Sequence, residues 1–386
     1  MKRVNRVFGF IISISMMLLL AACGNTAVTT PSVSEPQPPA VKESTEPAPE
    51  PTVADVSCLP TADNPSSVSQ LSGNSFYPWI VYWDNETAIT ESSSLASVMT
   101  SISVFAAYFK DDDSIIFPQS SQDTLQAVSD VYGTSVETYL TFVNDIKYDN
   151  GDSSLKDVDL LRRLFSSQTR MDAHIGEIVA LAKAKGVSGI EIDYENIKGD
   201  DALWQLFAQF LTALNNRASS EGLKLRVVLE TSALEKAAFP VGPQYTVMVY
   251  NLYGSHSDEP GPKADNAFIA EMAAKSVCLG PQVCFAFATG GFDWPASGDI
   301  AQLCETAAAE LAKTTQSVPE RDPGSGALHY TYHTDTSHTV WYADGETLCD
   351  WMQAAKAAGI KNFALWRLGG NSDGSLHMVS DYIAGK

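Results

Sequence analysis

Basic residues are scarce in this chain of 386 residues. Its 25 lysines and arginines stand against 46 aspartates and glutamates, which gives a formal net charge of -21. Nucleic acids and anionic lipids are bound by clustered lysine and arginine side chains, so this balance argues against either as the main partner. We expect an acidic, soluble surface and no nucleic-acid binding.

Motifs that hold metals or phosphorylated cofactors are also missing. The sequence contains no Cys-x-x-Cys pair, and its clustered histidines have spacings typical of strand or loop positions, namely His329, His333 and His338. No glycine-rich phosphate turn follows the first predicted strand. We therefore predict neither a metal site nor a bound cofactor.

The apolar run near the start, residues 8–22, is too short for a membrane span but suits the core of a signal peptide. Basic residues precede this run, and it ends in Leu20-Ala21-Ala22-Cys23. Small residues before a cysteine resemble the signals of bacterial lipoproteins, which implies cleavage before Cys23 and attachment of lipid to its thiol. A plain cleaved secretion signal is the alternative.

The rest of the chain divides into a tether and one folded domain. Residues 23–72 are rich in Pro, Ser, Thr, Glu and Ala, and so few large apolar side chains cannot offset the entropy of ordering. Nothing after Ser75 resembles a second linker, so we predict one domain over residues 73–386. The lipid anchor at Cys23 would hold this domain on the extracellular side of the bacterial cell membrane.

Five cysteines remain if Cys23 carries lipid, and this odd number allows at most two disulfides. They are Cys58, Cys278, Cys284, Cys304 and Cys349. The sequence does not choose their partners, so the pairing stays open.

Strand-like and helix-like segments alternate after Ser75, which is typical of a parallel sheet covered by helices. Helices are predicted at residues 170–185, 202–217 and 348–358. Strands are predicted at residues 77–83, 101–109, 138–143, 189–195, 223–230, 245–250, 282–288 and 362–366. Eight strands are the count of a (β/α)8 TIM barrel, with an open doubly wound sheet as the alternative. A hairpin at residues 330–340 is predicted as a short insertion between strands 7 and 8, on the catalytic rim.

The fourth predicted strand carries three acids on one face. Its alternation places Glu191, Asp193 and Glu195 on one side and apolar side chains on the other. Each buried carboxylate costs roughly several kcal/mol unless it is paired, protonated or solvated in a cleft. In a barrel this face points to the lumen, where active sites form, and an exposed edge strand is the alternative.

Asp193 and Glu195 are suited to proton transfer. Residues i and i+2 of a strand lie about 6.6 Å apart, so the two side chains can share a proton. Like charges at this distance raise the pKa of one member of the pair. A carboxyl group that stays protonated near neutral pH can act as a general acid.

The eight residues from Ser188 to Glu195 resemble the Asp-x-x-Asp-x-Asp-x-Glu signature on the fourth barrel strand of family 18 glycoside hydrolases, the chitinase-like fold. The resemblance implies that Glu195 protonates the glycosidic oxygen. It also implies that Asp193 orients the N-acetyl group of the substrate, whose carbonyl oxygen acts as nucleophile, so that configuration is retained. Ser188 and Glu191 stand where the signature has its first two aspartates. Glu191 keeps the charge and is a further candidate catalytic residue.

Two later segments extend the resemblance. Met248-Val249-Tyr250-Asn251 resembles the Met-x-Tyr-Asp of the sixth strand, which implies that the Tyr250 hydroxyl holds the N-acetyl oxygen. Residues 363–369 resemble the eighth strand, whose tryptophan, here Trp366, lies beneath the reacting sugar; a core tryptophan is the alternative. The candidate substrate-binding residues are Trp366, Met248, Asn251, Tyr253 and Tyr82, and Trp83 and Trp294 are further candidates for sugar contacts.

The residues and the resemblance together predict a glycoside hydrolase that cleaves β-1,4 bonds beside N-acetylglucosamine. Its partner would be an N-acetylglucosamine-containing polysaccharide, either peptidoglycan or a chitin-like glycan. Residues 338–342 and 366–369 resemble the subgroup that acts on spore and cell-wall peptidoglycan. The alternative is a lectin-like protein that binds the glycan on the same barrel without cleaving it.

Overall fold

The computed structural model describes residues 75–386. The predicted signal peptide at residues 1–22, Cys23 and the tether to residue 72 lie outside the described residues, as does Cys58, so what concerns them stays a prediction. Within residues 75–386, no helix is long and apolar enough to cross a membrane.

Eight parallel strands close into a barrel. Barrel strands 1 to 8 span Phe76–Val81, Ser101–Phe109, Glu137–Lys147, Gly189–Asp193, Lys224–Leu229, Gln244–Met248, Cys284–Phe287 and Asn362–Leu365. Each strand pairs in parallel with the next, and strand 8 pairs with strand 1. The predicted (β/α)8 barrel is therefore confirmed, and the open sheet is excluded because its two edges have met.

Helices cover the outside of this barrel. Within residues 75–386 the α-helices span Asn85–Ser92, Gln119–Tyr132, Val158–Leu164, Gln168–Lys185, Asp201–Ser220, Asn266–Lys275, Glu305–Thr314, Gly345–Ala357 and Asp373–Ala384. Helix Gln168–Lys185 begins where the Ser167 side chain accepts the Arg170 N–H, and it ends at Gly186 in the left-handed region, with φ 67°. The three helices predicted from the sequence are confirmed, each within three residues at either end.

Barrel strands 4 and 6 end earlier than the sequence pattern predicts, at Asp193 and Met248 rather than at residues 195 and 250. At strand 4 the cause is a side chain of strand 3. Asn144 accepts a hydrogen bond from the backbone N–H of Glu195 (2.9 Å) and donates one to its carbonyl (3.1 Å). Glu195 and Tyr250 therefore lie on loops just beyond the carboxyl ends of the barrel strands.

The insertion between strands 7 and 8 is larger than the short hairpin predicted. It forms an antiparallel sheet of the strands Gly290–Pro295, Ala301–Leu303, Glu320–Arg321, Leu328–His333 and Ser337–Ala343. The predicted hairpin is the pair of the last two strands. The first strand was missed because it begins with Gly290-Gly291, which a pattern of apolar alternation does not recognise. Glycine is required there, since a Cβ on Gly291 would lie 1.8 Å from the carbonyl oxygen of Trp341.

The two faces of strand 4 separate as predicted. Ile190, Ile192 and Tyr194 are buried in the layer between the barrel and its helices, together with residues of Gln168–Lys185 and Asp201–Ser220. The acids on the opposite face point into the barrel.

Among the four cysteines of residues 75–386, Cys278 is disulfide-bonded. The other three, Cys284, Cys304 and Cys349, are free thiols. The sequence left the pairing of the cysteines open. Among the described residues, the structure has a disulfide bond at Cys278 alone.

Candidate active site

Glu191 lies deep in the barrel and is completely buried. Its carboxylate accepts hydrogen bonds from Trp79 Nε1 (2.6 Å), Thr141 Oγ1 (2.7 Å), Ser103 Oγ (2.8 Å) and Arg226 Nη1 (3.2 Å). We call these five residues the interior cluster. Both oxygens of Glu191 accept hydrogen bonds from donors on barrel strands 1, 2, 3 and 5, so the hydrogen-bonding capacity of the carboxylate is used within the barrel.

Arg226 supplies the countercharge of this interior cluster. It is 2% exposed, and its guanidinium lies between the rings of Tyr77 and Tyr139, 3.5 and 3.9 Å from their centroids. It also donates to Ser101 Oγ at 2.9 Å. A planar cation with several fixed acceptors and two aromatic faces is well suited to a buried ion pair.

Asp193 lies two residues further along the same strand, towards the carboxyl end of the barrel. It is 7% exposed, and its Oδ1 is buried without a hydrogen-bond partner among the described residues. Burial raises the pKa of Asp193 well above its usual range, and the nearby charges of Glu195 and Glu191 raise it further. The raised pKa favours the protonated form of Asp193.

Glu195 follows Asp193 by two residues and lies on the loop that is held by the side chain of Asn144. We call Asp193 and Glu195 the mouth acids. Burial raises the pKa of Glu195, and the carboxylates of Glu230 and Asp145 contribute in the same direction. Lys156 opposes them, because its Nζ lies 2.6 Å from Oε2 of Glu195. The loop holds the carboxyl group of Glu195 at the mouth, and its pKa is raised. Both properties suit a general acid.

Tyr250 approaches the mouth acids from the loop after barrel strand 6. Burial raises its pKa well above the usual value, and the charges of Asp193, Glu195 and Glu191 add to the rise. This shift favours the protonated phenol, which can donate a hydrogen bond. The structure thus brings together three of the four predicted catalytic residues, and it places the fourth, Glu191, beneath them in the interior cluster.

Aromatic rings continue this site across barrel strands 8, 1 and 2. Trp366 is half-buried and meets Trp79 and Phe105 edge-on, at centroid distances of 5.7 and 5.1 Å. Trp83 meets Phe105 at 5.9 Å and Tyr82 at 5.0 Å, and it is 52% exposed. These rings form a continuous wall with a solvent-facing end, which is suited to contact the apolar face of a sugar ring.

The other predicted contact residues lie in varied surroundings. Met248 is buried inside the barrel, beneath the mouth. Asn251 is exposed on the loop after strand 6, and Tyr253 is half-buried against Gly261, where a Cβ would lie 2.5 Å from its ring. Trp294 is buried in the inserted sheet beside Phe292, 5.5 Å between centroids.

The clustered histidines take part in packing and hydrogen bonding within the insertion. His329 stacks on Trp341 with 4.5 Å between centroids, and His338 Nδ1 lies 3.0 Å from Asp293 Oδ1. Within residues 75–386, no group of three or more His, Cys, Asp or Glu side chains is arranged to hold a metal ion.

Sequence reasoning missed three residues that shape the site. Asn144 could have been found from the sequence, because it is an amide within the apolar residues of strand 3, and a buried amide must find hydrogen-bond partners. Arg226 gives a weaker sequence signal, because it is a single cation within an apolar strand. Lys156 gives no sequence signal, since it belongs to a polar loop and its contact with Glu195 is made only in the folded protein.

Comparison with known proteins agrees with this architecture. No family model matches the chain. The curated glycosylase YvbX of Bacillus subtilis, described as uncharacterized, is 24% identical over 232 residues, which cover 56% of this chain and 67% of that protein. A chitinase from Chromobacterium violaceum superposes with a TM-score of 0.68 at 18% identity, over 81% of this chain and 100% of that one. The spore cortex-lytic enzyme SleL of Bacillus cereus superposes with a TM-score of 0.66 at 16% identity, over 80% of this chain and 74% of that one. At such identities the two solved structures show a shared fold.

Proposed function

We propose that this chain is a glycoside hydrolase that cleaves β-1,4 bonds beside N-acetylglucosamine. The observation that carries the proposal is the convergence of two mouth acids with raised pKa values and the phenol of Tyr250 at the carboxyl end of a barrel. The names of the relative and of the superposed structures, a glycosylase, a chitinase and a cortex-lytic enzyme, support the same class.

Glu195 is the general acid of this proposal. Its carboxyl group donates a proton to the glycosidic oxygen, and the carboxylate that results then accepts a proton from the attacking water. The raised pKa favours the protonated state that the first step needs. The contact with Asn144 holds the backbone of Glu195 at the mouth, so that the side chain is positioned before a substrate arrives.

Asp193 and Tyr250 position the N-acetyl group. The carbonyl oxygen of that group attacks the anomeric carbon as the leaving oxygen is protonated, and water then opens the cyclic intermediate with net retention of configuration. The Tyr250 phenol, which keeps its proton, donates a hydrogen bond to the carbonyl oxygen. Asp193 accepts the N–H on its unpaired Oδ1.

The substrate is an N-acetylated glycan of the cell envelope, either peptidoglycan or a chitin-like polymer. Trp366 would lie beneath the reacting sugar, with the exposed Trp83 further along the wall. With a lipid anchor at Cys23, the enzyme would act from the extracellular side of the cell membrane.

The test is digestion by the full chain. Purified peptidoglycan and chitin oligomers are incubated with the protein, and the products are sized by mass spectrometry. We expect fragments with a reducing N-acetylglucosamine or its neighbour, and the preferred polymer identifies the substrate. Intact polymers after long incubation, with the protein folded, would overturn the proposal.

A lectin-like protein is the second candidate, and one contact favours it. The ammonium of Lys156 lies on Oε2 of Glu195, and an ionised Glu195 has no proton to donate. A protein that kept this pair in its complexes would bind the glycan and leave it uncut. Tight binding of chitin oligomers without release of fragments is the result that would select this candidate.

A further inference from the structure

Lys156 belongs to a small ribbon that folds back over the mouth of the barrel. The ribbon follows barrel strand 3, and its short strand Ser153–Ser154 pairs with Ile146 and Lys147. Lys156 adopts the left-handed region, with φ 52°, and its backbone N–H donates to Asp145 Oδ1 at 2.8 Å. Hydrogen bonding thus holds the backbone of Lys156, while its side chain is 48% exposed to solvent.

The side chain of Lys156 faces carboxylates. Burial lowers its pKa, but Glu195, Asp193 and Glu230 offset this effect, so that the pKa is raised and the ammonium form persists. Glu195 in turn faces Asp145 from strand 3, Asp193 at the end of strand 4, Glu230 after strand 5 and Tyr250 after strand 6. Of these groups only Lys156 stabilises the charged form of Glu195.

Two roles of Glu195 exclude each other. As an ion-pair partner it must be a carboxylate, whereas as a general acid it must be a neutral carboxyl within hydrogen-bond reach of the glycosidic oxygen. The ammonium of Lys156 lies 2.6 Å from Oε2 of the same carboxyl group that would have to contact the glycosidic oxygen. Lys156 and the substrate are therefore competitors for the same side chain.

We propose that Lys156 is a positioning residue that holds Glu195 by an ion pair and is displaced by the incoming sugar. This inference rests on the proposed function of Glu195. Lys156 leaves as an ammonium ion and keeps its proton, and Glu195, now among carboxylates and a phenol only, takes its proton from water. Loss of the lysine raises the pKa of Glu195 further, so the acid is protonated most readily when a sugar is in place to receive the proton.

The first test reads the protonation of Glu195 directly and needs no catalysis. The carboxyl groups of the full chain are labelled with carbon-13 and titrated by NMR, with Glu195→Gln assigning the signal. Lys156→Met should raise the pKa of Glu195, and Lys156→Arg should restore it. Lys198→Met is the control, because Lys198 is an exposed lysine three residues from Glu195 in the sequence.

An unchanged Glu195 titration in Lys156→Met would overturn the proposal, as would equal shifts in Lys156→Met and Lys198→Met. Since this readout involves no substrate, it tests the ion pair between Lys156 and Glu195 even if the protein cleaves no glycan. Failure of the positioning role and failure of the hydrolase assignment are thus separate results.

The second test compares two pH profiles. The alkaline limb of kcat/KM reports Glu195 in the free protein, and that of kcat reports it in the complex. We expect the kcat/KM limb to lie at lower pH than the kcat limb in the wild type, and Lys156→Met to move only the kcat/KM limb upward. Equal shifts of both limbs would contradict displacement, because Lys156 would then remain at Glu195 in the complex.

Displacement of Lys156 also predicts a small change in the affinity for glycan. Chitin tetramer should bind Lys156→Met about threefold more tightly at neutral pH, since no partly exposed ion pair has to be broken. Weaker binding by Lys156→Met than by Lys198→Met would show that Lys156 holds the sugar itself, and it would overturn the proposal.

Discussion

The carboxylates of barrel strand 4 and of the loop after it have opposite surroundings in the interior cluster and at the mouth. In the interior cluster, Glu191 accepts four hydrogen bonds and is paired with a buried Arg226. At the mouth, Asp193 has a buried oxygen without a partner among the described residues, and Glu195 is paired with a half-exposed lysine. A saturated carboxylate stabilises the barrel, whereas an unsaturated one is costly for folding and available for chemistry.

The countercharges differ in the same way. The guanidinium of Arg226 packs against the rings of Tyr77 and Tyr139, and another rotamer would break these contacts. Lys156 is half in solvent on a loop. The cation of the interior cluster is thus held by buried contacts, while the cation at the mouth is one that we propose a ligand displaces.

The strongest contrast is expected from removing the proposed acid. Glu195→Gln should lower the rate of glycan cleavage by about 10²- to 10⁴-fold while oligomer binding is kept, because the amide cannot donate the proton. Kinetics with chitin oligomers and binding by calorimetry measure the two effects. The matched control is Glu137→Gln, a partly exposed glutamate of strand 3 that pairs with Lys224. Equal activity of wild type and Glu195→Gln would refute the assignment.

The interior cluster should respond in stability instead. Glu191→Gln leaves Arg226 buried without a countercharge, and we expect a loss of about 3 to 5 kcal/mol in the free energy of unfolding. Urea denaturation measures it. Lys224→Met, which breaks the partly exposed pair with Glu137, should cost about 0 to 1 kcal/mol. If Glu191→Gln were as stable as Lys224→Met, the structural role of Glu191 would be wrong.

Tyr250→Phe keeps the ring and removes only the hydroxyl. We expect a fall in kcat of about 10²-fold, as for the loss of one donor to a developing charge, with an unchanged melting temperature. Steady-state kinetics and thermal unfolding of the same preparation give both numbers. A change in KM alone would mean that the phenol binds the ground state and does not act in the reaction.

Asp193→Asn should change the stability in the opposite direction to Glu191→Gln. The pKa of Asp193 is raised in the folded protein, so the folded state binds more protons than the unfolded state above the ordinary pKa of an aspartate. Wild-type stability therefore falls as pH rises from about 4 through the folded pKa. The variant lacks this loss and should be more stable by about 1 to 2 kcal/mol at pH 7, with little difference at pH 4. A variant that is less stable at both pH values would contradict the raised pKa.

The sequence predicts the barrel well because its signals are local. Apolar periodicity located all eight strands and the helix-facing side of strand 4, and the cap at Gly186 marked the end of the preceding helix. The partners of Glu191 escape this reasoning, since Trp79 and Ser103 lie 112 and 88 residues away in sequence. Only closure of the barrel brings them together.

The site is predictable in part for the same reason. Asp193, Glu195 and Tyr250 stand at strand ends, which a barrel gathers at one face. Their environments depend on side chains from other strands: Asn144 ends strand 4 early, and a loop lysine reaches Glu195. The inserted sheet was underestimated because its first strand begins with two glycines that close backbone contacts demand.

One measurement tests the central claim most directly. The full chain is mixed with chitin tetramer in an NMR tube, and the anomeric protons of the products are followed from the first minutes, before mutarotation. Cleavage by Glu195 with participation of the N-acetyl group predicts that the β-anomer forms first. Appearance of the α-anomer first, or no new reducing end at all with chitin or peptidoglycan, would contradict it.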